Sequence, residues 1–127
     1  MLAVEDLRVA YGPVQAVRGI GLAVASGQIV ALLGPNGAGK SSTLRALMGL
    51  APGTSGRIQL NGQPILGLPP ERIVRLGMTM VPEGRRVFAD LTVDENLVCS
   101  TVARRDRAAV AEDRQRVFEL FPVLRER

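Results

Sequence analysis

One short stretch of the sequence combines glycines, a lysine and a serine in a spacing that could hold phosphate groups. Residues 34–41, GPNGAGKS, match the pattern G-x-x-x-x-G-K-[ST]. Glycines allow successive backbone N–H groups to point into one concavity and meet phosphate oxygens. Lys40 is expected to contact the β and γ phosphates of a nucleotide and to act in catalysis, and Ser41 to bind Mg²⁺. The expected nucleotide-binding residues of this loop are Gly34, Asn36, Gly37, Ala38, Gly39, Lys40, Ser41 and Ser42.

The basic side chains single out the same loop. Lys40 is the only lysine among 16 basic residues, all the others being arginine. A planar guanidinium cannot replace a compact, flexible ammonium, so the one lysine stands where phosphate chemistry needs it. The alternative is a glycine-rich turn between a strand and a helix that has no function.

The elements around the loop are those that a phosphate loop requires. Residues 28–33, QIVALL, form a short apolar run without alternation, which predicts a strand buried on both faces of a parallel sheet. After the loop, Leu44, Leu47 and Met48 have helical spacing, and the predicted helix over 41–50 ends before Pro52. Strand, loop and helix therefore follow one another in the required order.

The rest of the first 81 residues is predicted to be mostly strands. Apolar residues alternate over 2–9, the turn signal Tyr11-Gly12-Pro13 follows, and a second apolar stretch covers 14–24. Asn61-Gly62 predicts a hairpin between 57–60 and 64–66. A short helix is predicted over 69–77, and another strand over 78–81.

The C-terminal part is predicted to be helical. Thr92 and Glu95 have the spacing of a capping box at a helix start. A longer helix is predicted over 107–121, with Val110, Val117, Phe118 and Phe121 on one face. Cys99 lies on the apolar side of a helical pattern and is expected in the core.

Composition excludes several classes of protein. The 127 residues suit a single domain, and a single cysteine without any histidine excludes an internal disulfide, a Cys/His zinc site and a histidine-based triad. No transmembrane segment or signal peptide is expected, so the predicted location is cytoplasmic. Although the net charge is +4, aromatic residues make up only 3%, and nucleic acid is not an expected partner.

The motif and its surroundings resemble the nucleotide-binding subunits of ABC transporters. The segments GPNGAGKSS, SGRIQLNGQPI and VPEGRRVFADLTVDENL carry the likeness, which is greatest to the ATPase subunits of branched-chain amino-acid importers. It implies an α/β P-loop NTPase of the ABC ATPase type. Such a fold has an antiparallel β-subdomain, a partial RecA-like core and the start of a helical subdomain. We expect one incomplete domain, with the β-subdomain and P-loop core over 1–91 and the start of the helical subdomain over 92–127.

The resemblance also assigns residues outside the phosphate loop. It makes Tyr11 the aromatic residue that stacks on adenine, with a plain turn or core aromatic as the alternative. Glu83 occupies the Q-loop position, where most ABC ATPases carry glutamine, and its carboxylate could bind Mg²⁺ or a water near the γ-phosphate; the alternative is a solvated loop acid. Arg86 and Phe88, with Arg85, suit docking to a membrane subunit, unless Phe88 is tucked inward.

The family's LSGGQ-type signature segment, second acidic strand and switch histidine do not occur in this sequence. We therefore expect the N-terminal half of an ATPase subunit, truncated before the signature segment and unable to hydrolyse ATP alone. The strand over 28–33 should lack parallel neighbours and expose its apolar residues.

The resemblance implies ATP and Mg²⁺ as cofactors, and membrane subunits and a second ATPase subunit as partners. The expected location is the cytoplasmic face of the membrane. Two other functions remain open, a small P-loop kinase and a non-catalytic, truncated protein that binds a partner.

Overall fold

The structure is a computed structural model that describes residues 1–84, 86–104 and 106–126. The chain divides into two compact units, Met1–Met80 and Val81–Arg127. The first unit contains the phosphate loop, and each unit is described by itself below.

A four-stranded antiparallel sheet forms the first unit's framework. Strand β1 (Leu2–Tyr11) pairs with β2 (Val14–Val24) on one side and with β3 (Thr54–Leu60) on the other, and β3 pairs with the short β4 (Gln63–Pro64). The strand order is therefore β2-β1-β3-β4. This sheet confirms the expected antiparallel β-subdomain.

The predicted turn at Asn61-Gly62 closes the β3–β4 hairpin. Both residues have positive φ angles, 51° for Asn61 and 80° for Gly62. Two consecutive left-handed residues form the tight hairpin turn whose twist matches that of the flanking strands. The dipeptide thus fixes the register in which Leu60 faces Gln63.

The core lies between one face of the sheet and two helices, α1 (Lys40–Leu47) and α2 (Pro70–Arg75). Both helices were predicted. Residues of β1 face this core at intervals of two, because successive side chains of a strand point to opposite faces. The exception is the step from Val4 to Leu7, where the strand has an irregularity and Asp6 has a φ angle of 46°. The buried apolar side chains are Val4, Leu7, Val9, Val17, Ala46, Leu47, Met48, Ile58, Ile65 and Ile73.

Two strand predictions are wrong. Residues 28–33 and 78–81 are neither helix nor strand. A parallel strand needs neighbours to satisfy its N–H and C=O groups, and the described sheet ends at β2 and β4 without including either segment. The expected exposure of the first segment is confirmed, since Ile29 is 100% and Leu33 87% exposed.

The second unit contains the predicted helices α3 (Val93–Cys99) and α4 (Arg107–Leu120), followed by a 3-10 turn over Pro122–Arg125. Thr92 and Glu95 form the predicted capping box: the Thr92 hydroxyl accepts from the Glu95 N–H at 3.2 Å, and the Glu95 carboxylate accepts from the Thr92 N–H at 2.8 Å. No helix of the described residues is both long and apolar enough to cross a membrane.

The apolar faces in this unit are only partly covered. Cys99 is exposed, so its expected place in the core is wrong. Three of the half-buried residues of α3, Val93, Asp94 and Leu97, lie about 120° or more around the helix from Cys99. On the predicted face of α4, Val110, Val117 and Phe118 are half-buried, whereas Phe121 just beyond the helix is exposed.

Candidate functional site

The last glycine of the phosphate loop, Gly39, packs against a strand of the sheet. Gly39 precedes α1 with φ 92°, a left-handed conformation that disfavours other residues. A methyl group at this position would lie 2.6 Å from the carbonyl oxygen of Ala16 and 3.2 Å from a methyl carbon of Val17. Only glycine allows the loop to approach β2 this closely, so the sheet positions the end of the loop.

The loop closes around the ammonium group of Lys40. Its Nζ donates hydrogen bonds to the carbonyl oxygens of Gly34 at 2.7 Å and of Pro35 at 2.8 Å. The Ala38 N–H also donates to the Pro35 carbonyl at 3.2 Å, which tightens the turn. The positive charge is therefore held beside the loop backbone without any carboxylate to neutralise it among the described residues.

Helix α1 presents its N-terminus to the loop. Its first turn contains no acidic side chain, so the positive end of the helix dipole is not neutralised there. The Thr43 N–H and hydroxyl both donate to the Gly39 carbonyl, at 2.8 and 2.9 Å, and Thr43 is buried. These bonds attach the start of the helix to the last glycine of the loop.

The structure brings together all eight residues that the sequence assigned to the loop. Residues 34–38 and Ser41 are exposed, while Gly39, Lys40 and Ser42 are half-buried, so the loop is open to an incoming ligand. Backbone N–H groups, an ammonium and serine hydroxyls form a donor set that fits a polyphosphate. The described residues form no group of three or more cysteine or acidic side chains that could hold a metal by itself. Mg²⁺ would therefore need phosphate oxygens beside a protein oxygen such as that of Ser41.

Tyr11 packs inward. Its ring lies against the core cluster, half-buried, and its hydroxyl is buried without a hydrogen-bond partner among the described residues. Because Tyr11 follows Leu7 and Val9 at intervals of two along β1, it points to the face that they occupy. This matches the core alternative that the sequence left open, and stacking on adenine would require the ring to turn outward.

Glu83 belongs to the second unit, in an exposed segment before α3. The Arg86 Nε donates to the Glu83 carbonyl oxygen at 3.4 Å. The side chain of Glu83 is accessible to solvent, and its role at a nucleotide stays a prediction. Arg85, also expected on this loop, lies outside the described residues.

Asn96, which the sequence analysis missed, fixes the loop that carries Phe88. Its amide nitrogen donates to the carbonyl oxygens of Phe88, Leu91 and Thr92 at 3.0, 3.2 and 2.9 Å, and its amide oxygen accepts from the Phe88 N–H at 2.9 Å. Phe88 itself is 61% exposed, so the expectation of an exposed ring is confirmed over the tucked alternative. The one sequence signal for this role of Asn96 is its position four residues after the capping Thr92.

Comparison with known proteins places this chain among relatives that are about twice as long. The high-affinity branched-chain amino acid transport ATP-binding protein BraG of Pseudomonas aeruginosa is 43% identical over 128 aligned residues, which cover 100% of this chain and 54% of BraG. The probable branched-chain amino acid transport ATP-binding protein LivF of Archaeoglobus fulgidus is 35% identical, over 98% of this chain and 52% of LivF. The chain thus spans about half the length of these curated relatives.

A solved structure agrees with the sequence comparison. The ATP binding subunit of an ABC transporter matches with a TM-score of 0.74 and 32% identity, over 85% of this chain and 45% of that one. The family model described as ABC transporter matches residues 17–124, which include the phosphate loop and reach into the second unit. The chain therefore belongs to the ABC transporter family.

Proposed function

We propose that this chain binds ATP with Mg²⁺ through residues 34–42. The observation that carries the proposal is the position of Lys40, whose Nζ donates hydrogen bonds to the carbonyl oxygens of Gly34 and Pro35. An incoming phosphate would exchange these two neutral acceptors for charged oxygens, and hydrogen bonds between ionised groups are the stronger ones.

The other loop residues supply complementary contacts. The backbone N–H groups of Asn36 to Ser42 surround the phosphates, and the Ser41 hydroxyl contributes an oxygen to Mg²⁺. Glu83 supplies a carboxylate to the metal or to a nearby water, and Tyr11 stacks on adenine after turning outward. When bound, Mg²⁺ neutralises charge on the β and γ phosphates.

In a whole transporter, this component would couple ATP binding and hydrolysis to the import of branched-chain amino acids. The names of BraG and LivF support this substrate class. The partners would be membrane subunits and a second ATPase subunit, at the cytoplasmic face of the membrane. Hydrolysis also needs a group that orients water and further charge stabilisation, which Lys40 and Glu83 do not supply together. We therefore propose binding without turnover for this chain alone.

The experiment is a titration with a fluorescent ATP analogue, with and without Mg²⁺, while phosphate release is followed in the same samples. Lys40→Ala should weaken binding at least about ten-fold, because charge-assisted hydrogen bonds to phosphate are lost. Arg45→Ala is the matched control, since it removes a positive charge from the last turn of the same helix. It should leave affinity nearly unchanged.

Tyr11→Ala and Tyr11→Phe test the adenine contact separately. Stacking predicts weaker binding for Tyr11→Ala and retained binding for Tyr11→Phe, because phenylalanine keeps a ring. Equal loss in Lys40→Ala and Arg45→Ala would contradict the phosphate-loop proposal. Transfer of phosphate to an acceptor would favour the kinase alternative instead, and rapid phosphate release would contradict binding without turnover.

A further inference from the structure

The excess positive charge of the chain is confined to its first unit. Residues 1–80 contain seven of the 16 basic and three of the 12 acidic side chains, so the net +4 lies there. Of the three acids, Glu5 pairs with Arg57 at 3.6 Å and Asp6 with Arg8 at 2.9 Å. The third acid, Glu71, forms no ion pair among the described residues. Five basic side chains of this unit likewise have no carboxylate partner there: Arg18, Lys40, Arg45, Arg72 and Arg75.

Two of these arginines, Arg72 and Arg75, line a cavity to which no residue of the phosphate loop contributes. The cavity has a volume of about 480 Å³. Arg72 and Arg75 are three residues apart on α2 and therefore project from neighbouring positions of one face. The lining residues are Gln63, Pro64, Leu68, Arg72, Arg75 and Leu76.

Buried neighbours fix the walls of this cavity. Ile73 on α2 and Ile65 after β4 are both in the core. The Ile65 N–H donates to the Ile58 carbonyl at 3.0 Å, and the Leu68 N–H donates to the Ile65 carbonyl at 3.1 Å. These contacts fix the backbone between β4 and α2, so the base of the cavity does not depend on a ligand to order it.

The chemistry of the lining selects the occupant. Paired guanidinium groups recognise carboxylates, and Pro64, Leu68 and Leu76 offer apolar surface beside them. Small-molecule sites usually enclose most of their ligand, whereas Gln63, Pro64, Arg72 and Arg75 are all exposed here. Pro64 also lacks an N–H, so a partner could not simply extend the sheet at β4. This open lining therefore fits an acidic peptide whose side chains enter the cavity from the solvent side better than it fits an enclosed small molecule.

We propose that this cavity docks an acidic, partly apolar peptide segment of a partner protein, whose carboxylates pair with Arg72 and Arg75. An apolar side chain of the same segment would lie on Leu68 and Leu76. The site is separate from the phosphate loop, and binding there does not require ATP.

Fluorescence anisotropy of a short labelled peptide of alternating glutamate and leucine tests the proposal. The double variant Arg72→Gln/Arg75→Gln should raise the Kd at least about ten-fold, because the charge-assisted hydrogen bonds are lost. The double variant Arg18→Gln/Arg45→Gln removes the same charge from β2 and α1 and should change the Kd less than about two-fold, since distant exposed charges are screened. Circular dichroism checks that both variants are folded.

Two further probes define the ligand. A peptide with glutamine in place of every glutamate should bind far more weakly, and octanoate, a free carboxylate with an apolar tail, should not displace the acidic peptide. Equal weakening by the two double variants would overturn the proposal in favour of non-specific attraction to the basic unit. Displacement by octanoate at concentrations similar to those of the peptide would overturn it in favour of a small-carboxylate site.

Discussion

Gly39 shows how one residue sets the geometry of the phosphate loop. It combines φ 92° with a neighbouring carbonyl oxygen 2.6 Å from where a methyl group would stand. Gly39→Ala should lower the free energy of unfolding by about 2 kcal/mol or more, because the cost of the strained φ angle adds to the cost of the clash with the Ala16 carbonyl. Urea denaturation of the variant measures this.

Gly37→Ala is the matched control. Gly37 also has a left-handed conformation, φ 83°, but nothing lies within 4 Å of an added methyl group. Gly37→Ala should lower the free energy of unfolding by only about 1 kcal/mol, because it adds the strain of the left-handed conformation without a clash. Equal losses in the two variants would show that the contact with Ala16 does not matter.

The buried hydroxyl of Tyr11 makes a second prediction at the residue scale. It has no hydrogen-bond partner among the described residues, and an unsatisfied buried polar group is destabilising. Tyr11→Phe should therefore raise the free energy of unfolding by about 1 kcal/mol. A lower stability in thermal and urea denaturation would mean that the hydroxyl finds a partner or water.

Residue-scale chemistry was predictable where the backbone and local sequence decide it. The spacing of the glycines, Lys40 and Ser41 defined the phosphate loop, because a phosphate loop is formed by consecutive residues. Tyr11 and Cys99 were harder, since the packing of a side chain depends on which face of its strand or helix is covered. The role of Asn96 was not predicted, because its four hydrogen bonds depend on the fold of the preceding loop.

At the scale of elements, the capping box of α3 predicts a dependence of stability on pH. Hydrogen bonds from the Thr92 backbone N–H and from its hydroxyl hold the pKa of Glu95 below its ordinary value of 4.5. A carboxylate with a lower pKa in the folded state stabilises that state above its unfolded pKa, and this contribution is lost as the pH falls through the folded pKa.

Glu95→Gln should therefore lower the free energy of unfolding at neutral pH, and its difference from the parent chain should shrink in acid. Thr92→Ala should cost about 1 kcal/mol at neutral pH through loss of the cap. Glu112→Gln on α4 is the control, because the side chain of Glu112 has no hydrogen-bond partner among the described residues. A difference between Glu95→Gln and the parent that stays constant from neutral to acid pH would contradict this role of the carboxylate.

Elements with local signals were predicted, and elements that need distant partners were not. The Asn61-Gly62 turn, the capping box and the helices follow from short-range chemistry, and the structure contains them. The apolar run over 28–33 has the composition of a buried strand, but no described strand lies beside it to complete its hydrogen bonds.

At the scale of the whole molecule, that same run predicts self-association. Ile29 and Leu33 are almost fully exposed in a segment without any charged side chain. Exposed apolar segments of this kind bind to one another between copies of a chain. Ile29→Lys/Leu33→Lys should lower the average mass measured by light scattering at rising concentration. Val14→Lys/Leu50→Lys adds the same charge at exposed apolar positions elsewhere and should have a smaller effect. Equal effects of the two pairs would attribute association to net charge alone.

The central claim is that the backbone of residues 34–42 holds the phosphates of ATP. The most direct measurement is a ¹H–¹⁵N correlation spectrum of the labelled chain titrated with ATP and Mg²⁺, with pyrophosphate and with adenosine in parallel. We predict that ATP and pyrophosphate shift the amide signals of Gly37, Gly39 and Ser41, whereas adenosine does not. A well-dispersed spectrum in which those signals stay fixed on addition of ATP would contradict the claim.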